Sequence, residues 1–180
     1  RKIIATTCVT RWYKIAVSQD GIYRVDYNFL KNIGLDVDNI DPRNLRVYGN
    51  GGGMLSEKNA DFRQDDLVEN AISVVGESDG NFDAGDYILF YGQGPHRWKY
   101  DATGQRFHHQ TNLYSDVTYY FITADMGPAK SRWSPTTSLN NPTVTVTTFD
   151  DYGFHELEES SLIGSGREWF GDYYNFSIAS

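Results

Sequence analysis

The stretch that decides the fold is ESDGNFDAGDYILFYGQGP, residues 77–95. Its first half is rich in Asp, Asn and Gly, which turn a backbone because Gly accepts positive φ and Asx side chains bond their own main chain. Its second half, YILFY at residues 87–91, is an unbroken apolar run that predicts a strand buried on both faces. A second apolar run, AISVV, precedes it at residues 71–75. The two runs predict a β-hairpin at the centre of a sheet.

Composition indicates a β-rich protein with a hydrophobic core of its own. The 180 residues are 15% aromatic, with 13 Tyr and 10 Phe, and aromatic residues favour strands. A chain of this length buries about 70% of its unfolded surface, so its stability requires neither a disulfide nor a metal. Cys8 is the single cysteine, which excludes an intrachain disulfide.

The charge of the chain excludes two classes of partner. Sixteen basic residues stand against 24 acidic ones, which gives a net charge of −8. Negative charge repels phosphate backbones and anionic lipid surfaces, so we expect no binding to nucleic acid. No run reaches the ~18 apolar residues of a membrane-spanning helix, so we expect no insertion of these residues into a membrane.

Turn signals and periodicity place the other elements. WYKIAVSQDGIYRV, residues 12–25, alternates on both sides of an Asp-Gly pair and predicts a second hairpin. NFLKNIGL, residues 28–35, predicts a short helix that is capped by Asp26 or Asn28 and ends at Gly34. Further strands are predicted at residues 45–48, 117–123 and 143–149.

Polar and glycine-rich sequence separates these elements. GNGGG, residues 49–53, precedes neither a Lys-Ser/Thr pair nor a helix pattern, so it predicts a flexible turn in preference to a phosphate-binding loop. Residues 57–64 predict a polar surface loop, and residues 96–110 a long loop that carries aromatic rings. The predicted fold class is all-β and mainly antiparallel, a β-sandwich or jelly-roll-like fold with one short helix. We expect an N-terminal β-sandwich domain at residues 1–156 and, at residues 157–180, a connector into a next domain.

The residue types of nucleophilic and zinc-assisted catalysis form no known motif in this sequence. Cys8 lies in TTCVT, ahead of the first clear strand. We predict that it is a small apolar residue without a catalytic role. The histidines, none of which has metal-ligand spacing with the cysteine, are His96, His108, His109 and His155. His155-Glu156 begins like a zinc-protease helix, but the fourth residue after His155 is Glu159 instead of His. We therefore predict no catalytic residue.

An acidic loop is the candidate metal site, and its oxygen-bearing residues are Asp79, Asn81, Asp83 and Asp86. Alternating oxygen ligands of this kind open a calcium loop. The glycine does not directly follow Asp83, and the twelfth position is Phe90 instead of Glu, which excludes an EF-hand. Two interpretations stay open. One is a looser calcium site on a β-hairpin, with calcium as the only cofactor expected. The other is a turn in which Asp79 and Asp83 cap the backbone and Asp86 faces water.

Aromatic residues in the predicted loops raise an alternative function, that of a carbohydrate-binding module. The rings concerned are Trp98, Tyr100, Trp133 and Trp169. Jelly-roll sandwiches bind sugars with exposed aromatic side chains. The other interpretation is that these rings cover the ends of the sandwich.

Five segments, taken in chain order, resemble one family. They are WYKIAVSQDGIYRVDYNFL, NLRVYGNGGGML, DGNFDAGDYILFYGQGP, FHHQTNLYSDVTYYFIT and FDDYGFHELEESSLIGSGREWFGD. Together they cover most of residues 12–171. They resemble the N-terminal region of gingipain-like cysteine peptidases, in particular the sortases of the type IX secretion system.

The resemblance implies a role without catalysis for these residues. In the family, the catalytic His and Cys lie in a caspase-like domain further downstream, and Cys8 does not match that cysteine. The chain starts at Arg1 and stops within the pattern YYNFSIAS, so we expect it to be a piece of a longer protein. It would be a non-catalytic N-terminal domain that positions the catalytic domain or contacts secretion partners.

The resemblance also implies a location and a set of partners. The parent protein would be exported to the cell surface, on the extracellular face of the outer membrane. There it would cleave the C-terminal sorting domains of secreted cargo proteins. The expected partners are the downstream catalytic domain of the same chain, secretion-complex proteins of the outer membrane, and the cargo.

Overall fold

The computed structural model describes residues 10–129, 131–133, 136–138, 141–148, 153–155, 160–161, 164 and 169–172. The chain divides into two compact units, Arg1–Thr137 and Ser138–Ser180. All the strands named below lie in the first unit. The predicted boundary between residues 156 and 157 falls outside the described residues and stays a prediction.

Antiparallel strands make up most of the first unit. In chain order they are β1 (Tyr13–Val17), β2 (Gly21–Asp26), β3 (Arg46–Tyr48), β4 (Glu69–Asn70), β5 (Ile72–Val75), β6 (Tyr87–Gly92), β7 (Arg97–Asp101), β8 (Arg106–Gln110) and β9 (Thr118–Thr123). They form a sheet of order β1-β9-β3-β4, a sheet of order β2-β6-β5 and the two-stranded sheet β7-β8. A single α-helix in the described residues, α1 (Tyr27–Asn32), follows β2. The all-β prediction with one short helix is confirmed.

The hairpin predicted from the central stretch is formed by β5 and β6, with Ile72 opposite Phe90. β6 is the middle strand of its sheet because β2 pairs with its other edge. It buries one face only, however, since Ile88 and Phe90 are fully buried whereas Tyr91 is 45% exposed. The expectation of two buried faces is therefore wrong. Large aromatic side chains also occupy the solvent face of a strand, so an unbroken apolar run does not by itself indicate burial of both faces.

The hairpin predicted at residues 12–25 is not formed. β1 pairs with β9 and β2 pairs with β6, so two consecutive strands enter different sheets. The Asp-Gly pair makes a corner instead, where the Asp20 carboxylate accepts a hydrogen bond of 2.7 Å from the Gly94 N–H. The Tyr23 hydroxyl donates to the Gln19 carbonyl at 2.8 Å and closes the corner. The turn residues do not determine which strands pair. β1 and β2 pair with β9 and β6, which lie far along the sequence.

The helix predicted after β2 is confirmed as α1. Asp26 caps it, because its carboxylate accepts a hydrogen bond of 2.9 Å from the Phe29 N–H. Gly34 follows with a φ of 94°, a conformation that ends a helix at little cost only for glycine. Leu30 is fully buried and fastens the helix to the core. Among the described residues, no helix is long and apolar enough to cross a membrane.

The two larger sheets share one hydrophobic core. Its members from both sheets are Ile15, Val17, Val25, Val47, Ile72, Val74, Ile88, Phe90, Tyr120 and Ile122. Phe90 of one sheet packs on Tyr120 of the other, with ring centroids 5.3 Å apart. Burying each aliphatic side chain of this size contributes about 1.5–3 kcal/mol. The architecture is therefore a β-sandwich.

A buried arginine joins β3 to the turn after β9. The side chain of Arg46 is 8% exposed and lies 3.3 Å from the Glu69 carboxylate. It also donates to the carbonyls of Met126 (3.0 Å) and Gly127 (3.1 Å). A buried charge is tolerated when it is both paired and hydrogen-bonded. Arg46 meets both conditions, so it holds the turn against the sheet.

The strand predicted at residues 143–149 is not found. Residues 143–148 lie outside any strand, and residue 149 is not among the described residues. Val144 and Val146 are 72% and 75% exposed. Alternation of valine and threonine favours a strand only where a neighbouring strand can pair with it.

Candidate functional site

The residues predicted as a long loop, 96–110, form a separate two-stranded sheet. β7 and β8 pair from Arg97 opposite Gln110 to Asp101 opposite Arg106. RWKYD and RFHHQ place an aromatic or imidazole ring at every second position. This alternation is typical of a strand, and it is the signal that the loop prediction overlooked.

One face of this hairpin carries what we name the aromatic strip, defined as Trp98, Tyr100, Phe107 and His109. Trp98 pairs with His109 at a ring-centroid distance of 4.9 Å, and Tyr100 pairs with Phe107 at 5.1 Å. Trp98, Tyr100 and Phe107 are 36%, 57% and 65% exposed. Such cross-strand pairs stabilise a sheet by about 0.2–1 kcal/mol each. Their outer surface stays exposed, and contiguous exposed apolar surface marks a site of interaction.

The glycine-rich loop at residues 49–53 packs against the start of β7. The Arg97 side chain donates from Nε to the Gly52 carbonyl at 2.9 Å. A Cβ on Gly52 would lie 1.5 Å from the carbonyl oxygen of Gly94. Only glycine permits this approach of two backbones. The loop is therefore a packed element of the scaffold and not the flexible turn that the sequence predicted.

A cleft lies between the loop that follows Gly53 and the β7–β8 hairpin. One part of it has a volume of about 560 Å³, and its lining includes Met54, Ser56, Asp61, Lys99, Gln110 and Tyr114. A second part, of about 300 Å³, is also lined by Met54, Lys99 and Gln110. Because they share these three residues, we treat the two parts as one elongated cleft. Both volumes are of the order found for small-molecule sites, about 300–1,000 Å³.

Hydrogen bonds within and between the segments shape the walls of the cleft. The Ser56 hydroxyl donates to the Asp61 carboxylate and orders one wall. The Leu113 N–H donates to the Met54 sulfur at 3.5 Å, which joins the opposite wall to the floor. Tyr114 is 86% exposed, and its ring borders the larger part. The walls thus combine an exposed phenol ring with charged and amide side chains.

Sequence reasoning missed this cleft. Its lining comes from three separate segments, residues 52–61, 97–110 and 113–114. No short motif spans these segments, so nothing in the sequence indicates that Lys99, Gln110 and Tyr114 line one cleft. Only the alternation in β7 and β8 was visible locally.

The acidic loop between β5 and β6 uses its carboxylates to hold its own backbone. Asp79 accepts a hydrogen bond of 2.9 Å from the Asn81 N–H, and Asp86 accepts one of 2.8 Å from the Asp83 N–H. Phe82, which is 3% exposed, anchors the loop to the core. Asp79 thus caps a turn as expected. At the other end the capping side chain is Asp86, which is partly buried and does not simply face water.

The proposed calcium ligands Asp79, Asn81, Asp83 and Asp86 therefore lie in one loop. In the part of the chain that the structure describes, no group of three or more His, Cys, Asp or Glu side chains is arranged to hold a metal ion. Two of the three proposed aspartate ligands already accept backbone hydrogen bonds. Calcium binding stays a prediction.

Three of the four histidines lie on or beside the β7–β8 hairpin. His96 accepts a hydrogen bond of 3.0 Å from the Asn112 N–H. His109 belongs to the aromatic strip, and the neighbouring His108 lies 3.7 Å from the Asp101 carboxylate. Because adjacent strand residues point to opposite faces, His108 and His109 do not share a site.

The remaining candidates lie outside the hairpin. His155 is hydrogen-bonded to Asp172 at 2.8 Å, within the second unit. Cys8 is not among the described residues, so its role stays a prediction. Trp133 is partly buried and donates its backbone N–H to the Ile72 carbonyl at 2.8 Å, whereas Trp169 is 46% exposed. Trp98 and Tyr100 thus lie in the aromatic strip, Trp133 lies beside β5, and Trp169 belongs to the second unit. Sugar binding by these rings stays a prediction.

Comparison with solved structures finds a likeness to part of a much longer protein. The chain resembles the crystal structure of dimeric latent PorU from Porphyromonas gingivalis, with 27% sequence identity and a TM-score of 0.53. The match covers 77% of this chain and 12% of the PorU chain. No protein-family profile matches the chain. No curated protein matches it either. A relationship to PorU is thus supported at a coarse level.

Proposed function

We propose that this chain is the non-catalytic N-terminal module of a longer gingipain-like cysteine peptidase related to PorU, the sortase of the type IX secretion system. One observation carries the proposal. The likeness to PorU extends over 77% of this chain but only 12% of PorU, so one small part of that protein corresponds to about three quarters of this chain. The sequence resemblance to the N-terminal region of the same family supports it independently. Cysteine peptidase activity would belong to a catalytic domain downstream.

The fold offers a sandwich whose two larger sheets share one core, and such a scaffold can position another domain.

The aromatic strip supplies the surface for such positioning. A two-stranded sheet is only marginally stable in water unless something packs against it. Interfaces between domains and between proteins are enriched in Trp, Tyr and Phe at their centre. The strip has one ring of each of these types, and Phe107 is 65% exposed. We assign it to contact with the downstream catalytic domain, at the extracellular face of the outer membrane.

The proposal is tested by deleting residues 1–156 from the full-length protein. We expect the catalytic domain to lose stability, and the cleavage of C-terminal sorting domains from secreted cargo to fall with it. Folding, surface location and cargo cleavage that all survive the deletion would show that the proposed role is wrong. Loss of surface location alone, with cleavage intact, would assign the module to secretion-complex proteins instead.

The isolated chain offers a second test of the same proposal. We expect no hydrolysis of cargo peptides by these 180 residues under reducing conditions. Peptide-bond turnover that disappears in Cys8→Ala or in a histidine variant would overturn the non-catalytic assignment.

A further inference from the structure

We infer that the elongated cleft beside the β7–β8 hairpin binds a neutral oligosaccharide. This inference goes beyond the peptidase module and does not depend on it. The sequence placed sugar binding on Trp98, Tyr100, Trp133 and Trp169, and of these Trp98 lines the smaller part of the cleft. The polar residues Lys99 and Gln110 lie by strand alternation on the face of the hairpin opposite the aromatic strip.

The shape of the cleft fits a chain of linked units better than a single compact ligand. Its two parts, of about 560 Å³ and about 300 Å³, share the floor residue Met54 and the polar residues Lys99 and Gln110. A ligand that fills both parts must pass over these three residues. An oligosaccharide meets this requirement because each sugar unit presents its own hydroxyl groups to the middle of the cleft.

The polar lining favours a ligand without charge. Lys99 contributes a cation, whereas Glu57 and Asp61 contribute two carboxylates across the same part of the cleft. A charged peptide or a phosphate would meet one favourable and one unfavourable partner. Hydroxyl groups both donate and accept, so they can pair with the Lys99 ammonium, with the carboxylates and with both ends of the Gln110 amide.

The apolar lining supplies the other half of sugar recognition. Tyr114 is 86% exposed and Leu113 is 63% exposed at the rim of the larger part. The face of an aromatic ring carries partial negative charge, and the C–H groups on one face of a sugar ring carry partial positive charge. A sugar stacked on Tyr114 would leave its equatorial hydroxyls directed at the polar side chains of the cleft.

The experiment is a titration of the 180-residue chain with neutral tetrasaccharides, namely maltotetraose, cellotetraose, mannotetraose and chitotetraose. Calorimetry or chemical-shift perturbation measures the dissociation constant. We expect at least one of them to bind, and we expect Tyr114→Ala and Lys99→Ala each to weaken that binding by about five- to tenfold. Phe62→Ala is the matched control, since Phe62 is also 86% exposed but does not line the cleft. Its affinity for the same sugar should equal that of the unchanged chain.

Two results would overturn the inference. The first is that neither the unchanged chain nor any variant binds any of the four sugars at millimolar concentration. The second is sugar binding that persists in Tyr114→Ala and Lys99→Ala, or binding of a cargo peptide at the cleft in place of a sugar. The melting temperature of each variant shows that it is folded. Failure here leaves the deletion test of the peptidase module unaffected, so the two proposals can fail separately.

Discussion

At the scale of single residues, Gly52 is the described glycine at which an added Cβ would lie closest to another atom. A Cβ at this position would stand 1.5 Å from the Gly94 backbone oxygen, and backbone cannot rotate away as a side chain can. We predict that Gly52→Ala destabilises the fold by about 1–3 kcal/mol, as overpacking does elsewhere. Thermal and urea unfolding measure the change.

Gly85 provides the control for this prediction, because a Cβ there would meet nothing within 4 Å. Gly85→Ala should leave the free energy of unfolding within about 0.5 kcal/mol of the unchanged chain. Equal melting temperatures for the two variants would contradict the packing that we describe between the glycine loop and β7.

A second residue, Asp38, couples stability to pH. Hydrogen bonds from the Tyr27 hydroxyl and then from the Lys31 ammonium (3.1 Å) hold the pKa of its carboxyl below the ordinary value. The unfolded chain therefore binds the proton more tightly than the folded chain does. The stabilisation is present above the unfolded pKa and is lost as the pH falls through the folded pKa.

We predict that the difference in melting temperature between the unchanged chain and Asp38→Asn is largest at about pH 6 and shrinks as the pH falls below about 4. A melting-temperature series across this range measures it. A difference that stays constant, or that grows in acid, would show that the Asp38 carboxylate does not stabilise the folded state.

At the scale of elements, the clearest test concerns the attachment of β3. Arg46→Met would remove the buried cation that pairs with the Glu69 carboxylate and donates to three turn carbonyls, and we expect a loss of about 3–5 kcal/mol. Arg43→Met is the control, since that side chain is 58% exposed and pairs with Asp41 at 2.8 Å. An exposed pair of this kind contributes about 0–1 kcal/mol. Equal losses in urea unfolding would refute the role that we assign to Arg46.

The acidic loop gives a second prediction at this scale. Asp86→Ala removes the acceptor of the Asp83 N–H and should cost about 0.5–1.5 kcal/mol in the presence of EDTA, whereas Asp83→Ala should have little effect there. The calcium prediction adds that calcium raises the melting temperature of the unchanged chain and that Asp83→Ala removes the rise. A melting temperature that is the same in calcium and in EDTA would exclude a functional calcium site in this loop.

Local signals were sufficient for elements whose structure depends on neighbouring residues. The cap at Asp26, the stop at Gly34 and the pairing of β5 with β6 all follow from residues close in sequence. Residues 12–25 show where such local signals are insufficient. An Asp-Gly pair indicates a reversal of the chain, but it does not say whether the next strand pairs with the last one or crosses to the other sheet. That choice depends on β6 and β9, which lie far along the sequence.

The candidate site was less accessible to sequence reasoning for the same reason. The aromatic alternation of β7 and β8 is visible in the sequence, but the polar residues between the rings favoured the prediction of a loop. The cleft depends on the passage of residues 54–61 beside the hairpin, which no periodicity encodes. The same long-range packing brings Tyr114 to its rim.

At the scale of the whole molecule, the first unit is a sandwich that carries one exposed aromatic hairpin. Its core joins both larger sheets. The exposure of the aromatic strip is accounted for if the strip packs on another domain of a longer protein. This packing is the central claim.

Amide hydrogen exchange of residues 97–110 tests the claim most directly, measured in the isolated chain and in the full-length protein under the same conditions. Contact with the downstream domain should slow exchange in β7 and β8 by about tenfold or more in the full-length protein, because opening the hairpin must then also break that contact. Exchange in β5 and β6, which lie in the sandwich itself, serves as the reference. Equal exchange rates for residues 97–110 in the two proteins would contradict the claim.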